Sequence, residues 1–176
     1  EVADKPWTFH AANLGPACAN MVTVDINGDG AVDIISSSAH QFGIWWHQQV
    51  VNDDEDTAEI EFIRHDLFPD LVSQTHALHF RDINGDGLQD IITGKRFWAH
   101  GPKGDPGSEQ PAIVYWFEAK KDSIGLMTYI PRVIHQRSGV GTQFWMGDMN
   151  GDGLLDVVTS NKSGVHVSLQ SRTANK

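Results

Sequence analysis

One nine-residue pattern returns three times along this 176-residue chain. It reads DINGDGAVD at residues 25–33, DINGDGLQD at 82–90 and DMNGDGLLD at 148–156. Each copy is Asp-x-Asn-x-Asp-Gly-x-x-Asp and passes straight into a β-rich run: DIISSS, DIITGK or DVVTSN. Side-chain oxygens at positions 1, 3, 5 and 9 of so short a loop can converge on one hard cation. Calcium suits such a set, because it accepts roughly six to eight oxygens in a flexible cage. Position 7 can add only its backbone carbonyl. The expected ligands are Asp25, Asn27, Asp29, Ala31 and Asp33 in the first loop, and Asp82, Asn84, Asp86, Leu88 and Asp90 in the second. Asp148, Asn150, Asp152, Leu154 and Asp156 form the third set, giving about three calcium ions per chain.

An EF-hand loop opens in the same way, but it needs a bidentate Glu at position 12 and a helix on each side. Position 12 is here Ser36, Thr93 or Thr159, and the flanking sequence is strand-like. The fourth carboxylate comes instead from position 9. A plainer alternative is a set of polar hairpin turns, since Asn-Gly and Asp-Gly are strong turn formers. Retention of every liganding position in all three copies favours the metal.

The formal charge of −10 is largely the product of these loops, which hold nine of the 23 acidic residues. No basic stripe is present to meet phosphates, which argues against nucleic acid as a partner. The single cysteine, Cys18, excludes an internal disulfide and reads as a buried thiol. No apolar run approaches the ~18 residues of a membrane span. Glu1 is not an initiator Met, so trimming of a longer chain is expected. Calcium loops of this weak type work where calcium is millimolar, which favours an extracellular or periplasmic setting, that is, a secreted protein.

The loops begin 57 and then 66 residues apart. Each repeat can be cut into four strand-like pieces bounded by Gly, Pro, Asn or Asp. The first group is 7–11, 20–24, 32–36 and 43–48; the second is 60–65, 75–81, 90–94 and 112–117; the third is 128–135, 142–147, 155–160 and 165–169. No convincing amphipathic helix appears. Twelve short strands in three groups of four predict an all-β chain: a β-propeller of four-stranded antiparallel blades, at about 7–48, 60–117 and 128–169. The loop between two short strands resembles the FG-GAP/VCBS repeats of integrin-α-type and secreted bacterial propellers. That resemblance covers nearly the whole chain. It implies one calcium per motif and rings of about seven blades. With only three motifs the ring cannot close on this length of chain. The expected partners are therefore other blades of the same protein, a second copy or a partner chain. The open flanks should expose blade-face residues such as those of GIWWH and IVYWF.

Propeller topology also assigns faces. The metal loops join the first and second strands of each blade and lie on one face, so the segments entering the first strand and leaving the second gather on the other. This mouth should collect His40, Gln74, Thr75, His76, Lys95, Arg96, Trp98, His100, Gln143 and Lys162. His40, His76, Lys95, Arg96, Trp98, His100 and Gln143 are the candidate ligand-binding residues. Arg offers a planar fork for carboxylates, and His carries a proton near neutral pH. Trp98 and Trp46 could stack on a sugar. The competing reading has Lys95 and Arg96 paired with acids and the Trp rings filling blade-to-blade core; His79, Trp45 and Trp145 read as core or strand-face residues. A metal held by His40, His76 and His100 is geometrically conceivable, but no His-x-x-x-His spacing supports it. Asp53, Asp54 and Asp56 form either a second calcium patch or a solvated turn. Residues 101–111, GPKGDPGSEQP, must be an excursion between strands. No nucleophile motif, phosphate loop or redox Cys pair appears. Three function classes remain: a calcium-stabilised interaction module of a secreted protein, a carbohydrate-binding propeller, and a propeller lyase or hydrolase acting on sugars. The repeat resemblance favours the first.

Overall fold

A computed structural model describes residues 6–7, 9–10, 12, 14–15, 17–50 and 60–172. Among them there is no helix, and eleven strands form three antiparallel sheets. The first sheet takes β1 (Cys18–Val24), β2 (Asp33–Ser38), β3 (Ile44–Val50) and β4 (Glu61–Asp66) in that order. The second takes β5 (Leu78–Arg81), β6 (Asp90–Gly94), β7 (Val114–Lys121) and β8 (Met127–His135). The third takes β9 (Phe144–Gly147), β10 (Asp156–Asn161) and β11 (Gly164–Ser168). These sheets are blades of a partial propeller, and no barrel closes.

Each of these strands overlaps one expected from sequence, but the grouping differs by one. The expected piece 60–65 opens no blade; as β4 it pairs with β3, Trp46 opposite His65 and Gln48 opposite Ile63. Likewise 128–135, as β8, closes the second sheet against β7. The blades are therefore 18–66, 78–135 and 144–168 rather than 7–48, 60–117 and 128–169. Hairpin closure decides the matter. The β7–β8 turn is fixed by the Asp122 carboxylate, which accepts the N–H groups of Ile124 (2.9 Å) and Leu126 (2.8 Å). Trp7, Phe9 and His10 of the expected strand 7–11 are exposed and outside any strand, while Thr8 and Ala11 lie outside the described residues. Asp53, Asp54 and Asp56 lie outside them too.

The sheets stack face to face, and strand alternation divides the apolar residues of the middle sheet between two interfaces. Leu78, Ile91 and Phe117 face the first sheet, meeting Ile35, Ile44 and Trp46. Ile92 and Val114 face the third, meeting Phe144 and Val157. Burying one such side chain contributes about 1.5–3 kcal/mol, so the two interfaces hold most of the apolar stabilisation.

The expected flanks need correction. Trp45, Trp46, Val114 and Phe117 are buried, so GIWWH and IVYWF are not open faces. Adjacent tryptophans on β3 point to opposite faces. Trp46 enters the interface and stacks on His65 (4.4 Å between centroids), whereas Trp45 is covered by the Arg64 guanidinium, 4.9 Å from its ring. The exposed apolar face lies instead on the third sheet. There Trp145, Val158 and Val167 form one cross-strand row, with Val165 beside it.

Ile91→Ala is expected to cost about 2–5 kcal/mol, the range for emptying a fully buried aliphatic site. Val167→Thr, on the exposed face, should stay within about 0.5 kcal/mol. Urea unfolding of the two variants beside the parent chain checks the contrast.

Candidate functional site

The three loops share one hydrogen-bond wiring, built from residue types that prefer to bond their own backbone. In the first, Asp25 Oδ1 accepts the N–H of Gly28 (2.7 Å) and Asp29 (3.2 Å), and Oδ2 accepts that of Gly30 (3.0 Å). Asn27 Oδ1 accepts from Asp29 N, and Asp29 Oδ1 from Ala31 N. Asp82 and Asp148 receive the equivalent three bonds from their own loops. Gly30 turns the chain at φ +88°, a conformation that favours glycine. The oxygens of positions 1, 3 and 5 are thus held around one tight arch. The Leu88 amide holds the Asp86 carboxyl below the usual range, and the Gly153 amide does the same for Asp148. Only oxygen donors are offered, which fits a hard cation rather than a soft one.

Position 9 stands apart. Asp33, Asp90 and Asp156 are completely buried. One oxygen of each accepts the N–H of loop position 2: Ile26 at 3.2 Å, Ile83 at 3.1 Å, Met149 at 2.8 Å. The other reaches past the second strand to a backbone N–H in or just beyond the third: Gln49 at 2.9 Å, Ala119 at 2.8 Å, Gln170 at 2.8 Å. This carboxylate locks the loop to its own sheet, a role that sequence reading gave only to the metal. Neighbouring loops line shared clefts, Asp25 and Ile26 with Gly87 and Leu88, and Asp82 to Gly85 with Gly153 and Leu154, so all three lie along one edge.

The opposite edge gathers much of the expected mouth. The buried Gln74, at φ +57°, accepts the N–H of Arg96 on its carbonyl and that of Ala99 on Oε1 (3.2 Å). Thr75 Oγ1 donates to Ser38 O (3.0 Å), which ties this segment to the exit of β2. His76 is half-buried, and burial first and the Arg96 charge second push its pKa down. Lys95 is 2 % exposed, and burial lowers its pKa, so in this structure it does not present its ammonium to solvent. Trp46, buried in the interface, offers no sugar platform either. Gln143 is exposed and lies beside, not in, the cleft at this edge. That cleft, about 330 Å³, is lined by Arg96, Phe97, Val140, Thr142, Ser160, Asn161 and Lys162. Trp98 is 38 % exposed, with φ +51° and its ring stacked on Phe97. Lys162 donates to Trp98 O (2.6 Å) and so pins that strained turn. His79 Nε2 donates to Phe144 O (2.9 Å) within the blade interface, while Trp145 is half exposed on the outer face of the third sheet. Cys18 is partly exposed rather than buried.

Sequence reading missed Asp105. The 101–111 excursion folds back and sets this carboxylate between His40 and His100. Its Gly/Pro-rich composition marked a loop but gave no direction for the tip.

Residues 25–93 match the family model of the FG-GAP-like repeat, spanning two loops and the strands between them. The third loop lies outside that match and repeats the same bonds one for one. The match and the repeated loops are consistent with an FG-GAP-type repeat protein. No curated protein matches the chain.

In the absence of divalent ions, Asp33→Asn should cost about 1–3 kcal/mol, because it turns an NH2 group toward a buried backbone N–H. Asp29→Ala, on an exposed side chain, should cost distinctly less; denaturant unfolding in metal-free buffer separates the two. Arg96→Ala should leave stability within about 1 kcal/mol, as usual for groups outside the core. A thermal melt of that variant is the check.

Proposed function

We propose that the chain is a calcium-stabilised FG-GAP repeat module of a secreted protein, which mediates contact with a partner. The observation that carries this reading is the identical wiring of three oxygen-only loops along one edge. The ions would be held by Asp25, Asn27 and Asp29, by Asp82, Asn84 and Asp86, and by Asp148, Asn150 and Asp152. The carbonyls of Ala31, Leu88 and Leu154 would add to these sets. Asp33, Asp90 and Asp156 would contribute whatever lone pairs their two backbone bonds leave. The cation supplies charge balance for carboxylates crowded into an arch of nine residues. An extracellular or periplasmic location follows from the calcium such loops require.

A ligand that binds only the folded state stabilises it by RT ln(1+[L]/Kd), about 1.4 kcal/mol per site at tenfold excess. A chelator should therefore lower the melting temperature clearly. Calcium titration should find about three ions per chain, and Asp29→Ala should remove one. An unchanged melt in chelator would refute the calcium reading.

The partner would be further blades, supplied by the same protein, by a second copy or by another chain. What supports this is the apolar row of Trp145, Val158 and Val167 on the outer face of the third sheet, opposite the face that packs on the middle one. Faces of this kind are normally covered. Light scattering of the chain with calcium present should show species heavier than the 19.5 kDa monomer. A monodisperse monomer would remove this part of the proposal.

A second reading, recognition of an anionic or polyhydroxylated ligand such as a carbohydrate, draws support from the Arg96 cleft. Its lining combines one guanidinium with the Thr142 and Ser160 hydroxyls and the Asn161 amide. The described ion pairs involve His40, Arg64, His100, Lys120 and Arg132, so among the described residues Arg96 keeps its charge unpaired.

A further inference from the structure

We propose that His40, His100 and Asp105 bind one divalent transition-metal ion of the zinc class. The site lies at the edge opposite the calcium loops and does not depend on the calcium reading. Among the described residues this is the one trio of His, Cys, Asp or Glu whose ligand atoms all lie within 4.8 Å of one another. His100 Nδ1 stands 3.1 Å from Asp105 Oδ2, and His40 Nδ1 stands 3.6 Å from Asp105 Oδ1. Tetrahedral zinc with bonds of ~2.0–2.2 Å places its ligand atoms roughly 3.3–3.5 Å apart. The two measured separations straddle that value. The imidazole rings stack at 4.7 Å, and both turn Nδ1 toward Asp105.

Two further observations point to a ligand. His40 Nδ1 is shut off from solvent and has no hydrogen-bond partner, and it faces a carboxylate too distant for a hydrogen bond. A metal ion between them would satisfy both groups. Asp105 is itself built into place: its side chain is 8 % exposed, and its N–H donates to the buried Ser108 hydroxyl (3.1 Å). Gln74 Nε2 approaches the carbonyl of the next residue, Pro106, at 3.5 Å. At Gly104 a Cβ would collide with the carbonyl and Cβ of His100, so the chain can double back over His100 only because that position has no side chain. The excursion is thus folded so that its carboxylate meets two imidazoles.

Donor chemistry selects the metal. Two imidazole nitrogens and one carboxylate suit zinc, cobalt or iron(II) rather than calcium, which takes oxygen alone. Three protein ligands leave a coordination position for water or an incoming ligand, the pattern of reactive rather than structural sites. Charged neighbours set the competition. Lys95 and Arg96 lie on the adjoining strand exit, and the Lys95 charge is drawn to Asp105 and Glu109. His76 lies close enough to His40 for their charges to oppose each other. Without a metal, the alternative is the hydrogen bond between His100 Nδ1 and Asp105 Oδ2.

Cobalt(II) is the probe, titrated in saturating calcium so that the loops do not compete. The expected result is one Co2+ per chain, with ligand-field bands of a four- or five-coordinate ion that zinc abolishes. Affinity should fall at least about tenfold in both His100→Gln and Asp105→Asn, since even outer-shell changes cost that much. It should be unchanged in Asp29→Ala, a calcium-loop variant. The His100 side chain is 61 % exposed, so its replacement should leave the melt intact. In the parent chain, zinc should shift the imidazole resonances of His40 and His100 ahead of all others, a readout that needs no variant. Absence of stoichiometric binding, equal binding by all three variants, or shifts confined to other histidines would overturn the proposal.

Discussion

The buried carboxylate at the ninth loop position is the bond on which the architecture turns. Asp33, Asp90 and Asp156 each accept one N–H from the start of their loop and another from the neighbouring strand or just beyond it. A charge placed at zero exposure is costly unless its lone pairs are met, and here backbone donors meet both oxygens. Burial pushes the Asp90 carboxyl up, while the Ala119 and Ile83 amides pull it down. The net effect is to weld loop, second strand and third strand into one unit. Strand register, and with it the sorting of Ile91 and Ile92 to opposite interfaces, follows from that weld.

Each sheet therefore has a constructed edge and a free one. On the loop edge all three blades repeat the same bonds. On the opposite edge every connection differs, and the polar groups there come from segments far apart in the chain: His40 after β2, the Gln74 turn before β5, Asp105 in the excursion after β6. Chemistry at that edge can vary without touching what fixes the fold, because the two are a strand length apart.

The loops were legible in sequence because their chemistry is local: four oxygen-bearing residues at fixed spacing within nine positions. Individual strands were legible for a similar reason, being short apolar runs cut off by Gly, Asn and Asp. The grouping was not, because a repeat carries no mark of where it begins. Whether 61–66 opens one blade or closes another depends on hairpin pairing, Val50 opposite Glu61, and not on the spacing of the motifs. The burial of Lys95 was hidden for a related reason. It follows directly on the fully buried β6, but its hydrophilic type argues for solvent. Trp45 and Trp46 were opposite cases of one rule: consecutive strand residues point to different faces, and both faces of the first sheet turned out to be covered at that point. Asp105 belongs to a loop whose composition announces turns but not their destination.

Two-sided burial of the middle sheet has a dynamic consequence. Each outer sheet packs on one neighbour, while the middle one packs on two, so the array behaves as a short one-dimensional stack with nearest-neighbour coupling. Opening the third sheet breaks one interface; opening the middle sheet breaks both. Amide protons of β6 and the facing half of β7 therefore exchange only when the whole array comes apart, whereas those of β10 and β11 escape through a cheaper, partial opening. The mouth straddles this gradient. Asp105 rides on the middle sheet, the one least free to open, while His40 rides on one outer sheet and Ser160 and Lys162 on the other.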